Sequence, residues 1–220
     1  MSIRKVSFVP GEYYHIYNRG NSKQKIFNDK ADYERFLGLL YACNNQENFK
    51  IFNIPKGQDL FSINREKILV SIGAYILMPN HFHILITQGE DGDISKFMQK
   101  VSTAYVMYYN KKYKRTGGLF EGKFKSQHAG NDRYLKYLFS YIHLNSLKLI
   151  YKNWREKCIR NKKETVEYLT NYKYSSYVDY IGFKRIQNKI LNIKVFPKYF
   201  PNKQSFIREI FDWLSYNNPS

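Results

Sequence analysis

An α+β fold, a ferredoxin-like antiparallel sheet backed by helices with a basic, mostly helical C-terminal extension, is what this 220-residue sequence predicts. Three observations carry that prediction. Apolar residues recur with a period of two in some segments and at helical spacing in others, in the order β-α-β-β-α-β-α. A Pro-Asn pair joins the two central β segments, as in an antiparallel hairpin. Hydrophobic residues make up 43% of the chain, enough for one substantial domain with an appendage.

Each element has a local reason. "EYYHIYNRG" (Glu12–Gly20) is β-rich and ends at a glycine, which predicts a first strand. In "NDKADYERFLGLLYACNN", Asp29 or Asp32 can cap a helix whose apolar stripe is Phe36, Leu39, Leu40 and Cys43. Residues 44–66 are polar and broken by Pro55 and Gly57, which predicts a loop or insertion. Lys67–Met78 and His81–Gln88 read as the two strands of the hairpin. Asp93 can cap a helix from Ile94 to about Tyr113, whose apolar positions Ile94, Phe97, Met98, Val101, Tyr105 and Tyr108 keep helical spacing. "KRTGGLFEGKFKSQHAG" predicts a turn and then a strand carrying Lys123 and Lys125. "NDRYLKYLFSYIHLNSLKLIY" predicts a helix capped by Asn131 or Asp132. Residues 1–150 thus form the main domain. Residues 151–220 form the extension, which opens on the basic stretch Lys152, Arg155, Lys157, Arg160, Lys162 and Lys163.

Charge is the strongest bulk signal. Lys and Arg number 36 against 18 Asp and Glu, a net charge of +18, and such an excess points to an anionic partner, foremost nucleic acid. Part of the excess is also what a Lys- and Asn-rich proteome carries as background. The two cysteines, Cys43 and Cys158, make no CxxC pattern and no disulfide framework. The N-terminus lacks a signal-peptide apolar region, and no apolar run approaches the ~20 residues of a membrane span, so the expectation is a cytoplasmic protein without a membrane partner.

The stretch "MPNHFHILI" sets His81 and His83 two residues apart in an apolar strand. Strand alternation sends both to one face, about 6–7 Å apart, and Phe82 to the other with Ile84 and Ile86. Such a pair either serves as half of a divalent-metal site, needing a third ligand, or hydrogen-bonds at a half-exposed sheet surface. On the later helix, Tyr134, Leu138, Tyr141 and Asn145 form one stripe, with an amide oxygen at Asn145 one turn after the Tyr141 phenol. Spacing alone leaves Tyr141 as one more core aromatic among 21 tyrosines.

These residues resemble a known family. "MPNHFHILI" is similar to the His-hydrophobic-His (HUH) motif of the single-tyrosine transposases. "YYHIYNRGN", "GGLFEGKFKS", "YIHLN" and "YSSYVDYIG" resemble the REP-associated tyrosine transposases of that superfamily, in the family's order and over roughly residues 10–182. The resemblance implies that residues 1–150 are an HUH-type transposase/nuclease domain. It further implies that His81, His83 and Asn145 hold Mg²⁺ or Mn²⁺ and that Tyr141 is the nucleophile. The implied reaction is metal-dependent nicking and strand transfer of single-stranded DNA through a 5′-phosphotyrosine intermediate, that is, DNA transposition by an endonuclease. A phenol is only about one-thousandth ionised at pH 7, and a nearby divalent cation favours the phenolate.

Tyr105 is the rival nucleophile, with a continuous apolar stripe around it, whereas Tyr141 has Asn145 one turn on. His143 should face elsewhere on its helix and be non-catalytic. Ser146 stands where the family often has proline. His15 is read as a packed or hydrogen-bonded residue that could face the site. Arg19, Lys123, Lys125 and Lys100 are candidate DNA phosphate contacts, and equally ordinary solvated charges. The expected partner is single-stranded or hairpin DNA, with no small-molecule cofactor, the protein being a monomer or homodimer. The competing class is a non-catalytic, structure-selective single-stranded nucleic-acid-binding protein, and a third is a metal-dependent phosphodiesterase without a covalent intermediate.

Overall fold

A strand covered on both sides must carry apolar residues on both faces, and the strand His81–Gln88 does so almost throughout. In the computed structural model, which describes residues 7–47, 59–151, 154 and 161–215, this strand is β3. The others are β1 (Tyr13–Arg19), β2 (Val70–Met78) and β4 (Lys125–His128). The sheet runs β2-β3-β1-β4, antiparallel throughout. The helices are α1 (Lys30–Ala42), α2 (Asp93–Tyr113), α3 (Asp132–Leu144), α4 (Lys162–Asn171), α5 (Tyr177–Tyr180) and α6 (Lys203–Ser215). The α+β fold and antiparallel sheet expected from the sequence are therefore present.

Alternation assigns the two faces. Ile16, Phe82, Ile84 and Ile86 pack with Phe36 and Leu40 of α1 and Phe97, Val101 and Tyr105 of α2. On the opposite face, Ala74, Ile76, Met78 and Leu85 pack with Leu135, Leu138, Phe139 and Ile142 of α3. A third cluster joins Leu144 and Leu147 at the end of α3 to Tyr177, Val178, Phe206 and Ile210. Helix α3 thus lies between the sheet and the C-terminal helices.

Two expected caps are settled by geometry. At α1, Asp29 accepts from the Asp32 amide, and Asp32 reciprocates in a capping box. At α3, Asn131 accepts from the Tyr134 amide at 2.8 Å. The third expectation is corrected: Gly92, not Asp93, caps α2, with φ of 83°, a left-handed conformation that glycine adopts without strain. Lys123 is also corrected in element, since it lies in the bend before β4, which begins at Lys125. Residues 48–58, with Pro55 and Gly57, and residues Lys152, Arg155, Lys157, Cys158 and Arg160 lie outside the described ones. Cys43 is a buried free thiol. No described helix is long and apolar enough to cross a membrane.

The outer edge of β2 is covered by the chain's own C-terminal part. The Leu77 amide donates to the Tyr174 carbonyl (2.9 Å), the Ser176 amide to that of Tyr75 (3.0 Å), and the Asn192 amide to that of Ile72 (2.9 Å). Where β2 bulges, between Ile72 and Ala74, a Cβ on Gly73 would come within 2.8 Å of the Phe196 ring, so the close approach of that ring needs glycine. Arg185 braces the same region by pairing with buried Asp179 (2.6 Å) and donating to the Tyr75 hydroxyl (2.9 Å).

His143, on the side of α3 away from the sheet, is fully buried among Tyr180 and Phe206, with Nε2 2.7 Å from Ser176 Oγ. The Ser176 hydroxyl also accepts from the Tyr75 amide at 2.9 Å, so one side chain ties α3, the C-terminal part and β2 together. Burial pushes the His143 imidazole down to about 3 from its ordinary 6.5. The unfolded chain therefore takes up this proton below pH 6.5 while the folded one resists, and stability falls with pH by up to about 1.4 kcal/mol per unit from this group. Urea denaturation at pH 7 and pH 5 should show a drop about 2 kcal/mol smaller in His143→Gln than in the parent protein. Equal drops in both proteins would contradict this account.

Candidate active site

The side chains of His81 and His83 leave β3 on the α3 face, opposite to Phe82, whose ring packs on Phe36 with centroids 5.0 Å apart. The two imidazoles stand edge to face at 5.0 Å. Strand β1 runs alongside with Tyr17 opposite His83 and Arg19 opposite His81. His15, on the same face as Tyr17, is the diagonal neighbour of His83.

Helix α3 delivers Tyr141 onto this group. Its ring centroid is 5.6 Å from that of His83 and 5.7 Å from that of His15, both edge-on. The turn after α3 brings the Lys148 ammonium 5.2 Å from the Tyr141 ring centre. Tyr141 is half-buried, and Tyr137 lies against it at 5.8 Å.

Both histidines use Nδ1 for a protein contact. His81 Nδ1 is 2.7 Å from Asn80 Oδ1, and the Asn80 amide nitrogen donates to the Lys23 carbonyl. His83 Nδ1 is 2.8 Å from His15 Nε2, with both rings buried. Burial lowers His15 to about 4, and burial with the charges of Lys148 and Arg19 lowers His81 to about 4. His83 is held well below 6.5, chiefly by burial and then by His15, His81 and Lys148. All three imidazoles are neutral at pH 7, the form that ligates a cation.

Asn145 follows α3 directly and is 1% exposed, and neither its Oδ1 nor its Nδ2 has a hydrogen-bond partner among the described residues. Leaving a buried amide unpaired costs about 1–3 kcal/mol, so its retention calls for a partner of another kind. No group of three His, Cys, Asp or Glu side chains forms a metal site among the described residues. The donors on offer are two neutral imidazoles and one amide oxygen, a set that fits a divalent cation whose remaining positions are filled by water or phosphate.

Tyr105 is placed elsewhere. It is fully buried on the opposite face of the sheet, and its hydroxyl donates to the Ile26 carbonyl at 2.5 Å. Burial raises its phenol far above the ordinary value of 10. Among the basic candidates, Arg19 pairs with Glu121, including Nη2 to Oε1 at 2.9 Å. Lys100 donates to the Asn45 and Glu47 carbonyls, each at 2.7 Å, joining α2 to the end of α1. Lys125 opens β4 across from Tyr17, and Lys123 lines a groove of about 570 Å³ with Asn18, Gln99, Thr103 and Phe124 on the α2 side. His128 pairs with Glu12 at 2.6 Å on the outer strand.

Two members of the constellation have no role in the sequence reading. Tyr17 shares the His15 face by strand alternation, a signal that was available. Lys148 stands seven residues after Tyr141, again on helical spacing, but the short turn that carries it onto the ring is not written in that spacing.

The sequence profile of the family described as "Transposase IS200 like" matches residues 56–145, a span that holds His81, His83, Tyr141 and Asn145. No curated protein sequence matches. Among solved structures, a REP-associated tyrosine transposase bound to a REP hairpin is similar with a TM-score of 0.50 and 13% identity, over 85% of this chain and 90% of that one. At that identity the likeness is one of fold. A tRNA(His) guanylyltransferase from Saccharomyces cerevisiae aligns over 93% of this chain and 86% of its own at 12% identity, but its TM-score of 0.37 bears no weight.

The two tyrosines should separate in stability. Tyr105→Phe strands the buried Ile26 carbonyl and is expected to lower unfolding free energy by about 1–3 kcal/mol, whereas Tyr141→Phe should stay within about 0.5 kcal/mol. Denaturant titration of both variants checks this, and a larger loss in Tyr141→Phe would return that residue to a packing role.

Proposed function

We propose, taking as premise the kinship of this chain with the IS200-like single-tyrosine transposases, that it nicks single-stranded DNA and transfers the strand through a 5′-phosphotyrosine link on Tyr141. The observation that carries the reading is the placement of the Tyr141 ring against His83 and His15 under the Lys148 ammonium, on the face where His81 also projects. A binding module has no use for a phenol set beside neutral, buried imidazoles.

The chemistry follows from these groups. The Tyr141 oxygen attacks the scissile phosphorus, a P–Oη bond forms, and the P–O3′ bond breaks. The phenolic proton is balanced by the one taken up by the departing 3′-oxygen. Lys148 supplies positive charge over the Tyr141 ring, where it offsets the charge that builds on the phosphate. Reversal with another 3′-hydroxyl rejoins the strand, because the phosphotyrosine ester conserves the energy of the phosphodiester. His81, His83 and Asn145 would hold Mg²⁺ or Mn²⁺, which supplies Lewis-acid polarisation of the scissile phosphate when bound. The net charge of +18 draws the DNA strand in, with affinity that falls steeply with salt. Hairpin DNA is a fitting substrate, since the structurally similar transposase was solved with a REP hairpin. Arg19 at the end of β1, Lys125 at the start of the edge strand β4 and Lys123 just before it are the phosphate candidates, and Lys100 is the weakest because backbone carbonyls already occupy it.

The test is a denaturing gel of the protein with end-labelled hairpin-bearing single-stranded DNA and Mn²⁺. A DNA adduct is expected for the parent protein and for Tyr105→Phe, and none for Tyr141→Phe. His81→Ala and His83→Ala should cut adduct yield by about 100-fold or more, and EDTA should do the same. Tight DNA binding with no adduct from any hairpin, unchanged in Tyr141→Phe, would establish the non-catalytic binder instead. Cleavage without adduct would identify a phosphodiesterase.

A further inference from the structure

An imidazole can ligate a cation through one nitrogen only if that nitrogen is unprotonated, which leaves the proton on the other one. The partner of the second nitrogen therefore decides whether the first can bind. For His81 the partner is an acceptor: Asn80 Oδ1 at 2.7 Å, its amide turned by the bond from Nδ2 to the Lys23 carbonyl at 3.3 Å. His81 is thereby an Nδ1–H tautomer with its Nε2 lone pair free.

For His83 the partner is another imidazole. His15 Nε2 and His83 Nδ1 are 2.8 Å apart, a hydrogen bond in which one proton lies between the two rings. If His15 donates that proton, the His83 proton sits on Nε2 and the ring is no ligand. If His83 donates it, Nε2 of His83 carries a free lone pair. The rings are 5% and 7% exposed, so little water competes for the contact. The β1–β3 register, with His15 opposite Leu85 and Tyr17 opposite His83, holds the two strands that carry the rings.

We infer that His15 and Asn80 are positioning residues for a divalent cation, each taking the Nδ1 proton of its histidine so that His83 and His81 present Nε2 on the Tyr141 side. The inference rests on the metal-dependent reading above and deepens it. His15 touches neither substrate nor cation in this role. It fixes the tautomer and ring angle of the histidine that does. The pairing of two imidazoles differs from the usual carboxylate or carbonyl partner of a metal-bound histidine, and it leaves His83 with two available tautomers where His81 has one. Cation binding then selects one arrangement of the His15–His83 proton.

The experiment is Mn²⁺ titration of the full chain by calorimetry, with folding of each variant checked by circular dichroism and melting in the absence of Mn²⁺. His83→Ala should abolish binding. His15→Phe keeps a ring but removes the acceptor and should weaken Mn²⁺ about 10–100-fold, as should Asn80→Ala. His15→Gln, whose amide oxygen can take the Nδ1 proton, should recover most of the loss. A folded His15→Phe that binds Mn²⁺ like the parent overturns the inference alone, as does a Gln variant as weak as the Phe one. No Mn²⁺ binding by the parent, or binding unaffected by His83→Ala, overturns the metal reading and the inference together. A second measurement covers a variant that fails to fold: ¹⁵N spectra of imidazole-labelled parent protein with Mg²⁺ should show His81 and His83 protonated on Nδ1. Protonation of His83 on Nε2 in the Mg²⁺-loaded protein refutes the assignment.

Discussion

Strand β3 lies inside the sheet and under helices on both sides, so its register is a constraint that the rest of the molecule inherits. Phe82, Ile84 and Ile86 are fully buried against α1 and α2, while His81, His83 and Leu85 turn toward α3. A slip by one residue would drive both imidazoles into an apolar core and push Phe82 into the site, exchanging every contact on both faces. Several interactions hold the register. Strand β3 has ladders on both edges, and the Pro79-Asn80 turn is anchored by the Gly20, Ile26 and Phe27 amides at 2.8–3.1 Å. The same turn supplies Asn80 to His81, so the anchor of the hairpin is also the anchor of a site residue.

Burying polar groups on that face has an energetic logic. Three imidazoles packed within a few ångströms cannot all be charged, and burial together with Lys148 and Arg19 keeps them neutral. Neutral imidazoles in a protein of +18 net charge offer lone pairs to a cation without adding to the repulsion it meets. Asn145 belongs to the same account, because a fully buried amide without a partner is a cost with no structural return. On the α1–α2 face, by contrast, the buried acid is paired: Asp32 is bonded by Lys112, Tyr108 and Tyr113.

What was legible in the sequence and what was not divides along sequence distance. His81, Phe82 and His83 could be assigned to opposite faces because alternation is a local rule, and the Tyr141–Asn145 spacing could be read because helical periodicity is local too. The two halves of the His15–His83 contact are separated by α1 and a long connection, and only the β1–β3 register brings them together. The partner of Arg19 is equally remote, since Glu121 arrives through the turn that precedes β4. Lys100 read as a free surface charge because its acceptors are backbone carbonyls, which leave no trace in a side-chain pattern. Gly92 took the cap expected of Asp93 because the chain enters α2 through a left-handed turn. The acid instead accepts from the Glu90 amide.

In the proposed reaction, in-line attack on phosphorus tolerates little displacement of the nucleophile, so the position of α3 would matter as much as the identity of Tyr141. That position is set from behind. His143 lies two residues from Tyr141 on the far side of the helix, clamped to Ser176 and packed against Phe206 of α6. Ser176 in turn bonds β2, and Lys136 of α3 pairs with Glu209 of α6 at 2.8 Å. The tyrosine side of α3 faces the histidines while its other side is fixed to the C-terminal helices and, through Ser176, to the sheet itself. A continuous chain of contacts therefore joins β2, the C-terminal part and α3. Residues well past the tyrosine in sequence thus help hold it against His83, the arrangement the proposed reaction uses.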